Sequence, residues 1–331
     1  MTAIGAFGTG WADTGRRSVD DSAMPDRAAR ARAAGLLLLL TPVIWGATFP
    51  AAKVALRDVS PWTFVAWSRG LGLLAILAVV ALWRPPRASW TRGLVPAGAV
   101  LGALMTPGYV LQTVGINHTT ATNAGFITVL YVVLAPAGAT LIGRHSPDQV
   151  DLVCLGLALT GLGLLSIRDG RLHAGDLVVL AGAAAFAGHI VAVDVLVDRY
   201  AALPLAVAQM AASAALTAAI AVPAGPQAGE VASLWWIFIL TGVLGSGIAF
   251  SVQVMAQQSL SPVRASILLA AEALVAAIAA AIWLGERLST RAGLGAAVVL
   301  AAMAISELSP RRAGSHPEGL KPSALSPDKG T

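Results

Sequence analysis

Charge is what this chain lacks most. Asp, Glu, Lys and Arg make up 12% of its residues, against about 25% in a soluble domain. That is too little to cover a water-facing globule, so most of the chain must face lipid or other apolar helices, in keeping with its 56% of hydrophobic residues. Cysteine is nearly absent. The single Cys154 excludes an intrachain disulfide and a thiol metal cluster, and its apolar setting reads as that of a small buried hydrophobe. The net charge of +5 is modest. Its basic residues sit in short loops and tails, the pattern of membrane orientation and not of nucleic-acid binding. No Walker loop, HExxH or GxSxG occurs in the sequence, which speaks against direct use of ATP and against a membrane protease or acyltransferase. The expectation is a protein that is not an enzyme and holds no cofactor or metal.

What is present is a series of long apolar runs between two polar ends. Residues 1–33, with Arg16, Arg17, Arg27, Arg30 and Arg32 among several Asp, read as a disordered cytoplasmic tail that is too long and polar for a signal peptide. Residues 308–331, rich in Pro, Ser, Gly and Lys, read as a second one. A helix needs about 20 apolar residues to cross the hydrocarbon core. Ten candidate spans follow, roughly 34–56, 62–83, 93–116, 121–142, 150–167, 174–197, 202–223, 233–257, 262–283 and 290–307. With the N-terminus inside, fifteen Lys and Arg residues fall on the inner side and five on the outer. This ratio places both ends in the cytoplasm.

Sliding the sequence by 141 positions aligns its halves. Tyr109 falls on Phe250, Gln112 on Gln253, Trp45 on Phe186, Thr48 on His189 and Asn123 on Arg264. With one inserted residue, Gly143-Arg-His145 falls on Gly285-Glu-Arg287. Each unit, 34–167 and 174–307, then holds five spans. Five is odd, so the second unit enters the membrane from the opposite side. The fold class expected is an all-α polytopic membrane protein of ten transmembrane helices in two inverted five-helix repeats, an architecture typical of secondary transporters.

Several stretches resemble a known family. WGATFPAAKVAL (from Trp45) followed by SPWTFVAWSRG is similar to the opening of an EamA-type domain of the drug/metabolite transporter (DMT) superfamily. TTATNAGFITVLYVVLAPAGATLIGRH resembles the end of the first repeat's core, and SPVRASILLAAEALVAAIAAAIWLGERLSTRAGLGAAVVLAAMAISE its counterpart in the second. The resemblance covers about residues 35–307 and implies a ten-helix carrier. Two departures stand out. The first repeat has Gly-Arg144-His where the family usually has Gly-Glu, and the second has Glu272-Ala273 where Glu-Pro is common. The first departure puts a helix-end contact in question, the second a break in the ninth span.

A charge inside a span costs at least about 2.5–3.5 kcal/mol at the bilayer centre, so it faces a cavity or a partner. Lys53, Arg69, His189, Asp194 and Glu272 are the ionisable residues so placed. Glu272 lies mid-span with no Lys or Arg within one turn, and is the candidate proton site or substrate contact. Arg69 is two turns inside span two, and its guanidinium can take a carboxylate with two bonds. Lys53 is read either as an outer-gate residue or as snorkelling to headgroups. Its repeat counterpart Asp194, at the inner end of span six, carries the opposite charge. His189 is either a packing residue or a proton carrier. Trp45, Tyr109, Gln112, Asn123, Tyr131, Gln209 and Gln253 are candidate lining residues, with Gln112 and Gln253 expected to face each other near the axis. Pro50 would kink span one where a gate flexes. Spans five and ten, rich in Gly and Ala, read as packing or dimer-contact helices, and a homodimer stays open.

The leading expectation is an exporter of small polar metabolites in the plasma membrane, working by alternating access and coupled to protons through Glu272. Lys53 and Arg69 balance Asp194 and Glu272 in charge, which suits a zwitterion such as an amino acid. The alternatives are an exporter of lipophilic cations or drugs, and, in another class, an intramembrane enzyme or receptor. The expected partners are a small-molecule substrate, protons and the bilayer, with no nucleic acid.

Overall fold

The computed structural model describes residues 36, 38–141, 149–168, 171–196, 199–257 and 262–308. The apolar runs form helices α1 (Leu40–Ala55), α2 (Pro61–Trp83), α3 (Leu94–His118), α4 (Ala121–Thr128), α5 (Tyr131–Leu141) and α6 (Gln149–Ser166). A small antiparallel hairpin, β1 (Ile167–Arg168) with β2 (Arg171–Leu172), ends this half. The second half holds α7 (Ala174–Leu196), α8 (Ala202–Ala221), the short α9 (Ala228–Ser233) and α10 (Trp235–Phe238), a π-helical segment Ile239–Ala249, α11 (Phe250–Gln257), α12 (Pro262–Leu284) and α13 (Thr290–Leu308). Five of the described helices are long and apolar enough to cross a membrane, and four apolar stretches are shorter.

Local signals set the boundaries. Ser60 caps α2, accepting from the Thr63 amide at 3.1 Å, with Pro61 in the first turn where it loses no bond. Thr120 caps α4 in the same way through the Asn123 amide, at 3.1 Å. One expectation needs correction. Span four was read as a single run over 121–142, but it is divided into α4 and α5. At the division Leu130 N–H bonds to Ile127 O and Val132 N–H to Val129 O, three residues back. The run of Ile127, Thr128, Val129, Val132 and Val133 is β-branched and weak as helix. The ninth span, where a break was in question, runs continuously through Glu272 as α12.

The repeat is visible in the element starts. Pro61, Leu94, Ala121 and Gln149 recur as Ala202, Trp235, Pro262 and Thr290, each 141 residues later. The packing obeys the same exchange. α2 packs on its own mate α8, α6 on α13, and α4 on α12. The remaining contacts come in swapped pairs: α1 on α12 beside α7 on α4 and α5, and α2 on the π-segment beside α8 on α3. α6 and α13 cross closely. A Cβ at Gly161 would sit 2.8 Å from the Gly295 carbonyl oxygen, and one at Gly295 would sit 2.8 Å from that of Gly161, so small residues let the two backbones touch.

Trp62, Trp67, Trp235, Trp236 and Trp283 are exposed at the end of the bundle that carries the hairpin, and Trp83 and Trp90 at the other. Such tryptophans belong at the two headgroup levels. Leu152, Leu159, Leu294 and Ile305 are exposed between them, as side chains facing acyl tails are.

Candidate functional site

Midway through the bundle the interior turns polar and aromatic. Arg69 of α2 is buried, 4% exposed. Its guanidinium carbon lies 3.6 Å from the centre of the Tyr109 ring of α3, a cation stacked on a π face. Its Nη2 donates to the Ser246 hydroxyl in the π-segment. Its Nε and Nη1 have no hydrogen-bond partner among the described residues. Leaving a buried donor without a partner costs about 1–3 kcal/mol, and more for a charged group.

Two aromatic pairs pack in the same part of the bundle. Tyr109 packs edge-on against Phe186 at 4.9 Å, and Trp45 packs against Phe250 at 6.3 Å. These two contacts exchange under the repeat, since Trp45 corresponds to Phe186 and Tyr109 to Phe250. Trp45 is pinned by its indole N–H, which donates to Gly245 O at 2.9 Å. The His189 ring lies 5.9 Å from Phe250 and its Nε2 is 2.9 Å from Gln209 Oε1. Gln209 is fully buried, and its amide nitrogen has no partner among the described residues. Two mate helices, α2 and α8, therefore each carry a buried donor with no partner among the described residues.

Glu272 of α12 is buried, 4% exposed. Tyr131 Oη donates to its carboxylate across a long 3.5 Å. The two residues are 141 apart, so they are repeat mates. A contact between mates maps onto itself when the halves exchange, which places the pair on the pseudo-two-fold axis. Gly46 lets α1 press on the same turn: a Cβ there would lie 2.8 Å from Glu272 O.

A second polar cluster closes the hairpin end. The Lys53 ammonium donates to Ile116 O, Asn117 O and Thr119 O at 2.7, 3.1 and 2.7 Å. It thereby caps the carbonyls at the end of α3, where a positive charge also meets the helix dipole. The Thr119 hydroxyl bonds the buried Asp176. Asn123 Nδ2 donates to Leu165 O at 3.2 Å and lies 3.4 Å from Asp176 Oδ2. Glu286 accepts from the Ala121 and Thr122 amides at 2.9 and 3.0 Å, a carboxylate held at a helix N-terminus. A recess of about 460 Å³ opens here, lined among others by Thr122, Asn123, Glu286, Arg287 and Arg291. Replacing Lys53 by Met should lower stability by about 1–2 kcal/mol through the lost hydrogen bonds. A melting curve of the detergent-purified variant checks this, with Lys53→Arg expected to recover part of the loss.

Comparison with known proteins supplies the family. The model of the EamA-like transporter family matches residues 32–167 and again 173–307. The chain belongs to that family. An uncharacterized transporter of Archaeoglobus fulgidus is 37% identical over 157 residues, covering 47% of each chain. The uncharacterized transporter YyaM of Bacillus subtilis is 26% identical over 156 residues, 44% of this chain and 51% of its own. The chain thus spans about half the length of the curated relatives it matches. A solved crystal structure at 18% identity superposes with a TM-score of 0.65, over 86% of this chain and 98% of the other, and so shares the fold. The family match over both halves and the apolar helices mark a multi-pass membrane protein.

Within this EamA-family bundle, Arg69, Tyr109, Trp45, His189 and Gln209 gather in one central cluster and Glu272 with Tyr131 on the axis. Lys53 and Asn123 lie apart, at the hairpin end. Gln112 donates to Thr128 at 3.1 Å and makes no bond to Gln253, which is buried on α11. Pro50 is buried inside α1, which continues past it. The Asp194 side chain and the Gly143–His145 turn lie outside the described residues. Ser246 and Asp176 were not singled out from sequence. Ser246 hides in a run of small residues, and Asp176 sits in a first turn, where an acid is ordinarily a helix-end residue.

Proposed function

We propose that this chain is a secondary active carrier that exports small polar metabolites such as amino acids across the plasma membrane, by alternating access and in exchange for protons. The observation that carries the reading is Arg69: a buried, stacked guanidinium with Nε and Nη1 unpartnered, a ready receiver for a carboxylate. The Gln209 amide is a further donor on the mate helix. The substrate's ammonium would face the ring faces and main-chain carbonyls of the same cluster. Glu272 is the proton site. A residue on the axis lies between the two mouths and can exchange protons with either side in turn. The hairpin end faces outward and both chain ends are cytoplasmic, as the charge distribution supports. The Lys53, Asp176 and Glu286 contacts then close the outer mouth.

A second reading, export of lipophilic cations, draws on the four aromatic rings and on Glu272 as the cation's partner. Flux into proteoliposomes against a panel of amino acids, sugars and cationic dyes, with and without a pH gradient, separates the two. Movement of an amino acid driven by the gradient is the expected result. Movement of dyes alone moves the assignment to lipophilic cations, and no movement of any class overturns the carrier reading.

A further inference from the structure

Span eight departs from its repeat mate in one place. Ile239–Ala249 is π-helical, while the corresponding residues 98–108 of α3 are α-helical. Helix starts before and after this segment keep the spacing of 141, so no residue has been inserted and only the winding differs. Wider winding changes which carbonyl a side chain reaches. A serine in an α-helix bonds back three or four residues, as Ser251 does to Gly247 O at 2.7 Å. Ser246 instead donates to Thr241 O, five residues back, at 2.7 Å. With its proton committed there, the Ser246 oxygen can act only as an acceptor, and the group it accepts from is Arg69 Nη2. Two features bring the helices close enough. Gly72, one turn beyond Arg69, has no side chain where Ser246 approaches, and a Cβ there would come within 2.5 Å of Ser246 Cβ. Beside it the Ser68 and Thr241 hydroxyls meet at 3.1 Å.

We infer that Ser246 is a positioning residue for transport. It holds the Arg69 guanidinium on Tyr109 through one Nη2–H and leaves Nη1–H, beside the second Nη2–H, as an end-on fork for a substrate carboxylate. This rests on the carboxylate reading of Arg69 given above. The repeat makes the arrangement one-sided. The mates of Arg69 and Ser246 are Met210 and Met105, both fully buried in one apolar cluster. Only one of two pseudo-equivalent places can hold an anion, so the substrate takes a single orientation.

The test uses the full chain in proteoliposomes, with the amino acid carried fastest in the panel and the amide of that same amino acid as competitor. Ser246→Ala should raise KM for the amino acid about tenfold, the effect of one hydrogen bond to a charged group, with Vmax and the amide's inhibition constant changed by less than about twofold. Ser246→Cys keeps the shape of the side chain at slightly larger size but is a weak acceptor. It should shift the same way, and it keeps the test readable if Ala impairs assembly. A rise shared equally by the amino acid and its amide, or a fall in Vmax alone, shows a merely structural serine and overturns the inference. Arg69→Gln separates the two layers. If it raises KM while neither Ser246 variant does, positioning fails and the carboxylate reading stands. If it leaves KM unchanged, the carboxylate reading itself fails.

Discussion

Glu272→Gln should abolish proton-driven accumulation while leaving substrate exchange in place. The amide is isosteric and its oxygen still accepts from Tyr131, so the axial contact and the packing against Gly46 survive. What it cannot do is gain or lose a proton. For one-for-one exchange, a gradient of one pH unit holds a substrate gradient of about tenfold, since one unit is worth about 1.36 kcal/mol. The wild-type protein should approach that ratio in acid-inside vesicles with the membrane potential clamped at zero. The Gln variant should settle at about unity, with counterflow between equal pH compartments within about threefold of wild type. Glu272→Asp should restore part of the coupling. Retention of pH-driven accumulation in the Gln variant would show that another group carries the proton.

Arg69→Gln should cost transport and spare, or raise, stability. Losing a charge-assisted, two-bond contact with a carboxylate removes about 3 kcal/mol, which is about a hundredfold in KM. Arg69→Lys should recover little, because an ammonium neither stacks flat on Tyr109 nor presents a fork. Stability should move the other way, since the folded protein no longer buries a cation whose Nε and Nη1 lack partners. Lost affinity together with an unchanged or higher melting temperature is the signature of a residue kept for function. A large drop in melting temperature with unchanged KM would make Arg69 a structural residue.

Much of this was legible in the sequence for identifiable reasons. Transmembrane runs announce themselves by length and lack of charge, and an exact repeat period survives because the helices pack against their own mates. Arg69 and Glu272 stood out because an ion deep in an apolar run needs a partner or a cavity. Winding was not legible. Nothing in Ile239–Ala249 distinguishes a π-helix from an α-helix at the level of apolar pattern, so the role of Ser246 appeared only in three dimensions. Lys53 illustrates the opposite limit. Its depth in span one suggested a gate or a snorkelling side chain, but its partners are carbonyls more than sixty residues away. The break before Tyr131 came from β-branched crowding that an apolar count ignores. The repeat match of Gly143-Arg-His145 to Gly285-Glu-Arg287 drew attention to the Glu286 turn, and the structure supplies the partner of Glu286, the N-terminus of α4.

The central claim is that the carrier recognises a small zwitterion by its carboxylate at Arg69. Equilibrium binding tests this most directly, with radiolabelled amino acids on the detergent-purified protein and with amides and tetraphenylphosphonium as competitors. The account predicts saturable binding of at least one amino acid, displaced by its amide only at much higher concentration, not displaced by tetraphenylphosphonium, and absent in Arg69→Gln. Binding of tetraphenylphosphonium with no amino acid bound, and unaffected by Arg69→Gln, would contradict it.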